Sequence, residues 1–211
     1  MKVGIIGSGD VGKKLGDSFV DLGHSVKIGT RDASKLAEWA SKHGTRASAG
    51  SFADAAAFGD IIVIATSWAG TTSALDMANP KNMAGKIVID VTNPLDFSTM
   101  PPKLAVGNTD SAGETVQRLL PEARVVKAFN IVGNPHMYKP NFSEGRPTMF
   151  VCGNDDSAKK MVTDLLTAFG WESIDIGGIE GSRLLEPLAM LWITYYFRTG
   201  TGDHAFKLLR K

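Results

Sequence analysis

Short runs of consecutive apolar residues alternate along this chain with stretches in which apolar residues recur every three or four positions. The runs are Val3–Gly7, Ser25–Gly29, Ile61–Ala65, Lys86–Val91, Arg124–Phe129, Thr148–Cys152 and Ser173–Ile176. In Ile61-Ile62-Val63-Ile64 no position is polar, as in strands covered on both faces, so a buried parallel sheet is expected. Between the first two runs, Val11, Leu15, Phe19 and Leu22 share one helical stripe, closed by Gly23. A second helix is expected from about Ala33 to Lys42, capped by Asp32 or Thr30. A short strand near Arg46–Ala49 and an alanine-rich helix over Phe52–Phe58 follow. Strand and helix in repeated alternation predict a doubly wound α/β domain.

The pattern changes after Gly133. Residues Asn134–Arg146 hold two prolines and two asparagines and read as a long loop or short helix. Beyond it come a strand, a helix opening at Asn154 or Asp155 and closing at Gly170, another strand, and a long helix of roughly Ser182–Thr199. The expected division is therefore residues 1–133 and a small α/β extension, 134–211. In the last helix Leu184, Leu185, Leu188, Leu191, Trp192, Tyr195 and Tyr196 share a broad face, while Met190, Ile193 and Phe197 fill the other side. A helix apolar all round needs more than one covering surface. The same helix of a second subunit is the expected cover, since two-fold symmetry pairs like with like. A homodimer follows as an expectation.

Charge and cysteine content narrow the function class. Among 211 residues, 23 Lys and Arg face 22 Asp and Glu, a net +1. That balance argues against a nucleic-acid or membrane-surface partner, which calls for a basic excess. No stretch reaches the roughly 20 apolar residues of a membrane span, and the first residues lack the pattern of a signal peptide. One cysteine, Cys152, forms no intrachain disulfide and suits a reducing compartment. A cytoplasmic protein is expected, and a disulfide scaffold or a transporter is not.

The segment Gly7-Ser8-Gly9-Asp10-Val11-Gly12 is a complete G-x-G-x-x-G. The string alone occurs in unrelated turns. Here it leaves a predicted strand, opens a predicted helix and precedes a second strand, the context of the dinucleotide-binding Rossmann fingerprint. Gly7 would permit the tight turn, Gly9 the approach of a pyrophosphate, and Gly12 close helix–strand packing. The second strand ends in Gly29-Thr30-Arg31-Asp32, where NAD enzymes usually carry an acidic residue for the ribose. A hydroxyl followed by a guanidinium, with Lys35 one turn on, suits the 2′-phosphate of NADP. The rival assignment makes Asp32 the ribose ligand. Three further strand-end loops should converge on the same ligand: Ala65-Thr66-Ser67-Trp68, Val91-Thr92-Asn93-Pro94 and Lys127-Ala128-Phe129-Asn130. Their candidate contacts are Ala65, Thr66, Ser67, Asn93, Ala128 and Asn130, with Trp68 and Phe129 either flanking a ring or packed in the core.

No nucleophile–base pair and no metal-ligand spacing stands out, so no catalytic residue and no metal is assigned. Hydride transfer between two redox cofactors needs positioning and a dry site more than a protein base.

At this point the chain resembles the coenzyme F420-dependent NADP oxidoreductases. The resemblance is carried by Gly7–Gly12, Ile28-Gly29-Thr30-Arg31, Cys152–Asp156, Ser182–Glu186, Gly200–His204 and Phe206–Leu208. It implies a Rossmann domain, a small C-terminal domain, a homodimer, and hydride exchange between the nicotinamide and the deazaflavin of F420 in a cleft between domains. Ile87–Pro94 and Val125–Asn130 are more similar to the cytosolic domain of the six-transmembrane metalloreductases, which pass electrons from NADPH through a flavin to ferric or cupric ions. Asn130 stands near the position of a histidine in archaeal F420 enzymes. An FMN- or FAD-using flavin or ferric reductase therefore stays open as an alternative, as does an NADP(H)-binding redox sensor without turnover.

Overall fold

A computed structural model describes residues 1–211. The chain runs β1 (Lys2–Ile6), α1 (Asp10–Asp21), β2 (Ser25–Gly29), α2 (Ala37–His43), β3 (Ala47–Gly50), α3 (Phe52–Phe58), β4 (Ile61–Ile64), α4 (Trp68–Ala78) and β5 (Ile87–Asp90). It continues through a two-stranded hairpin, β6 (Leu95–Asp96) and β7 (Lys103–Leu104), then α5 (Ala112–Leu119), β8 (Arg124–Lys127), β9 (Thr148–Gly153), α6 (Asp156–Phe169), β10 (Glu172–Asp175) and α7 (Ser182–Thr199).

One eight-stranded sheet has the order β10-β9-β8-β5-β4-β1-β2-β3. The six strands from β8 to β3 are mutually parallel, a doubly wound Rossmann arrangement. Its strand order reverses between β1 and β4, where such sheets open a ligand crevice. Apolar residues alternate between the two sides even within one strand. Ile61 and Val63 join the layer under α1 and α6, whereas Ile62 and Ile64 pack with α3 and α4. That two-sided burial is why these strands read as unbroken apolar runs.

The chain reverses beyond residue 134. β9 runs antiparallel to β8, and β10 parallel to β9. The small α/β extension thus lengthens the first sheet instead of building its own. Two helices had no counterpart in the expected pattern. In α4, Gly70, Thr71, Thr72 and Ser73 dilute the apolar stripe; α5 is only eight residues long. Elsewhere local chemistry decides the ends. Asp32 accepts from the Ser34 amide and opens a 3-10 turn before α2, and Asp155 accepts from the Ala158 amide at the start of α6. No helix is long and apolar enough to cross a membrane.

Candidate functional site

Three glycines of the loop after β1 have different work. Gly7 has φ +122°, and a Cβ there would lie 2.4 Å from the Ala65 carbonyl oxygen. A Cβ on Gly12 would lie 2.1 Å from the Gly7 oxygen, so both positions let α1 and β4 close on the loop. A Cβ on Gly9 would meet nothing within 4 Å. Gly9 faces open space, the opening a ligand would need for close approach to the backbone. It is also the N-cap of α1 and supplies no side-chain cap, leaving the first amides of that helix without a side-chain acceptor.

Two adjoining clefts lie over the carboxyl ends of the strands, sharing Gly9, Ala65, Thr66 and Ser67. The first, of about 530 Å³, is lined by Gly7, Ser8, Thr30, Arg31, Asp32 and Lys35, with Phe52 and the first turns of α4 opposite. The second, of about 450 Å³, is lined by Asp10, Val11, Trp68, Val91, Thr92 and Asn93, with Leu95, Phe97 and Asn134 at its rim. Together they form a continuous trough with a cationic end and a mixed apolar and amide end.

At the cationic end, Thr30 is nearly buried while Arg31 and Lys35 are exposed. Asp32 is engaged elsewhere. Its carboxylate accepts from the Ser34 hydroxyl at 2.6 Å and the Ser34 amide at 3.1 Å, and these bonds hold its carboxyl below the usual range. Both bonds fall on Oδ1 and give Asp32 a capping role at the cleft edge, with Oδ2 unbonded.

At the other end, Asn93 and Asn130 bind each other. Asn93 Nδ2 donates to the Asn130 carbonyl at 2.8 Å, and Asn130 Nδ2 donates to Asn93 Oδ1 at 3.0 Å and to the Leu185 carbonyl at 3.0 Å. Asn93 reaches the cleft wall; Asn130, only 5% exposed, and Ala128, fully buried, stand behind it. Gly12 also lies off the wall, packed beneath the loop. Phe129 is 1% exposed and packs on Phe169 at 5.3 Å between ring centroids, so it belongs to the core, whereas Trp68 lines the cleft. The hydroxyl of Thr66, just before α4, bonds Thr71 Oγ1 in that helix at 2.8 Å.

The sequence reading missed a buried ionic cluster behind this wall. Lys127 Nζ lies 2.7 Å from Asp90 Oδ2 and 2.9 Å from Glu186 Oε1, with all three side chains at most 1% exposed. Asp90 and Lys127 are paired neighbours at the ends of β5 and β8. The available signal was one charge of each sign closing two adjacent apolar runs. Burial alone would lower the Lys127 ammonium, but Asp90 and Glu186 more than reverse it and hold it above its ordinary value. Burial raises the Glu186 carboxyl, while Lys127 and the amides of Ala112 and Gly113 oppose that shift. The pair of carboxylates around one ammonium keeps Lys127 charged. Nearby Cys152 is buried, and desolvation pushes its thiol up to about 11, which leaves it unreactive.

Residues 2–94 match the family described as NADP oxidoreductase, coenzyme F420-dependent. The F420-dependent NADP reductase of Methanocaldococcus jannaschii is 33% identical over 155 residues, covering 71% of this chain and 69% of that protein. The chain belongs to the F420-dependent NADP reductase family. Its family is one of NADP-dependent oxidoreductases. Among solved structures, a putative F420-dependent NADP-reductase from Arthrobacter sp. FB24 superposes with a TM-score of 0.94 at 41% identity, over 100% of both chains. The metalloreductase STEAP3 of Rattus norvegicus is 29% identical over 192 residues, 90% of this chain but 37% of that longer protein. This family member thus spans little more than a third of the metalloreductase it resembles.

Proposed function

We propose that this protein exchanges a hydride between NADP(H) and coenzyme F420. The observation that carries the reading is the trough itself. A cationic cleft beside the glycine loop joins a second, more apolar cleft through Gly9, Ala65, Thr66 and Ser67, as an extended dinucleotide requires. Support for the acceptor comes from the full-length 41% identity to a protein described as a putative F420-dependent NADP-reductase.

In this reading the backbone of Gly7, Ser8, Gly9, Asp10 and Val11, with the N-terminus of α1 brought close by Gly12, holds the pyrophosphate. Thr30, Arg31 and Lys35 hold the adenosine 2′-phosphate by hydroxyl and charge. Ala65, Thr66, Ser67 and Asn93 shape the nicotinamide side, and Ala128 and Asn130 brace it from behind. Residues 134–211, entering the rim through Asn134, form the acceptor side and the subunit contact of a homodimer.

Bound NADPH supplies the hydride, from nicotinamide C4. The reduced deazaflavin takes one further proton from solvent, so NADPH, F420 and a proton become NADP⁺ and reduced F420. The protein's part is alignment and exclusion of water. Purified protein mixed with NADPH and, separately, F420, FMN, FAD or a ferric chelate tests this. Loss of the F420 absorbance band at a rate well above the other acceptors is expected. Faster flavin or ferric reduction would favour the metalloreductase-like alternative, and tight binding without turnover would favour a sensor.

A further inference from the structure

Behind the nicotinamide-side wall, and touching neither cleft, sits the Asp90–Lys127–Glu186 cluster. We infer that Lys127 is a positioning residue: through Asp90 it sets the Thr92–Asn93 wall of the nicotinamide-side cleft, and through Glu186 it ties that wall to α7. The inference rests on the NADP reading above.

Each link is a hydrogen bond. The Asp90 oxygen not facing Lys127, Oδ1, accepts from the Thr92 amide at 3.0 Å and from the Thr92 hydroxyl at 2.7 Å. Thr92 and Asn93 then form the cleft wall. On the other side, Glu186 accepts from the Ala112 and Gly113 amides at 3.0 and 3.1 Å, fixing α7 against the first turn of α5. A parallel tie runs beside it, from the Leu185 carbonyl of α7 through Asn130 to Asn93. Two adjacent residues of one helix, Leu185 and Glu186, therefore reach two adjacent residues of the wall, Asn93 and Thr92, by separate routes.

Stability gives little reason for such a cluster. Well-packed apolar residues of similar volume often serve as well as a buried ion pair or better, because desolvation offsets the attraction. What charge provides here is geometry. An ammonium between two carboxylates fixes the distance from β5 to α7, and the second oxygen of Asp90 transmits that register to Thr92. Apolar side chains would fill the space without setting the angle of the loop.

The test separates the two clefts. Adenosine 2′,5′-bisphosphate probes only the cationic cleft, whereas NADP⁺ spans both. In Lys127→Met we expect NADP⁺ to bind about tenfold more weakly, while adenosine 2′,5′-bisphosphate stays within about twofold of the wild type, by titration calorimetry. Glu186→Gln, which keeps the side-chain size, carries the decision if Lys127→Met does not fold; it should shift the same ratio by about threefold. Equal weakening of both ligands, or no change in either, overturns the positioning role and leaves the cluster purely structural. Failure of the wild type to bind either ligand is a different result, and it overturns the NADP reading itself.

Discussion

Ser8 Oγ donates a 3.0 Å hydrogen bond to Thr30 Oγ1, fastening the glycine loop to the end of the neighbouring strand β2. A second tie runs alongside, from the Gly7 amide to the Gly29 carbonyl at 3.1 Å. The loop proposed for the pyrophosphate and the residue before Arg31 are thereby held at a fixed separation. Arg31 itself projects from this rigid base into solvent, available to a 2′-phosphate.

Arg31→Ala should weaken NADPH far more than NADH. Losing a charge-assisted bond costs roughly 1.5–3 kcal/mol, about a tenfold or larger rise in dissociation constant. NADH, without the 2′-phosphate, should change little. Parallel titrations of both nucleotides give the answer, and equal weakening would return the ribose to Asp32 despite its bond to Ser34.

Gly9 and Gly12 should respond in opposite ways. A Cβ on Gly9 enters empty space, so Gly9→Val should fold with wild-type circular dichroism and a near-normal melting temperature, yet lose NADP⁺ binding. A Cβ on Gly12 would lie 2.1 Å from the Gly7 oxygen, so Gly12→Ala should destabilise the chain itself, by roughly 1–3 kcal/mol as overpacking does. Retained nucleotide binding in Gly9→Val would reduce the motif to a turn.

The alternating runs exposed the sheet because burial on both sides leaves few polar positions in its central strands, and the glycine loop was legible because its geometry admits few other residues. The cleft beyond it was less so. Asn93 and Asn130 looked alike, as short amides after two strands, but one reaches the wall and the other supports it, a difference set by packing. Phe129 and Trp68 likewise differ only in what the fold packs around them. Asp90, Lys127 and Glu186 are separated by tens of residues, and only the pairing of β5 with β8 and the approach of α7 bring them together. Leu95 and Phe97 escaped notice because a two-residue strand carries no periodicity.

The attachment of α7 should weaken in acid. Glu114 of α5 accepts from Arg183 of α7, with Nε donating to Oε2 at 2.8 Å. That bond, opposed by burial and reinforced by Ser111, lowers the Glu114 carboxyl from 4.5. A lowered carboxyl contributes stability above its unfolded value and loses it as pH falls through the folded one. Glu114→Gln should therefore be less stable than wild type by about 0.5–1 kcal/mol near pH 6, since the pair is partly exposed. The two proteins should converge as pH falls below the lowered Glu114 value. A difference that persists undiminished in acid would assign the effect to packing, not to charge.

The proposed homodimer would pair through the exposed side of α7. Leu184 is 69% exposed, Leu191 59% and Tyr195 51%, and with half-buried Leu188 they form one stripe at spacings of three and four. Trp192, although its sequence spacing put it on the same seam, turns inward. Its Nε1 donates to the His204 carbonyl at 2.9 Å, its ring stacks on His204 at 4.4 Å, and a Cβ on Gly133 would sit 2.9 Å from it. Two substitutions should then separate interface from fold. Leu191→Glu places a charge on the stripe without touching the interior, so it should convert dimer to monomer while leaving the melting of the monomer unchanged. Trp192→Glu should instead loosen the chain after Gly200 and lower the melting temperature. Burying the exposed parts of Leu184 and Leu191 favours association, and two-fold symmetry counts each contact twice. Sedimentation should show a species near twice 22.5 kDa for the wild type and the monomer mass for Leu191→Glu. A wild-type chain that sediments as a monomer at every concentration would leave the stripe without its proposed partner.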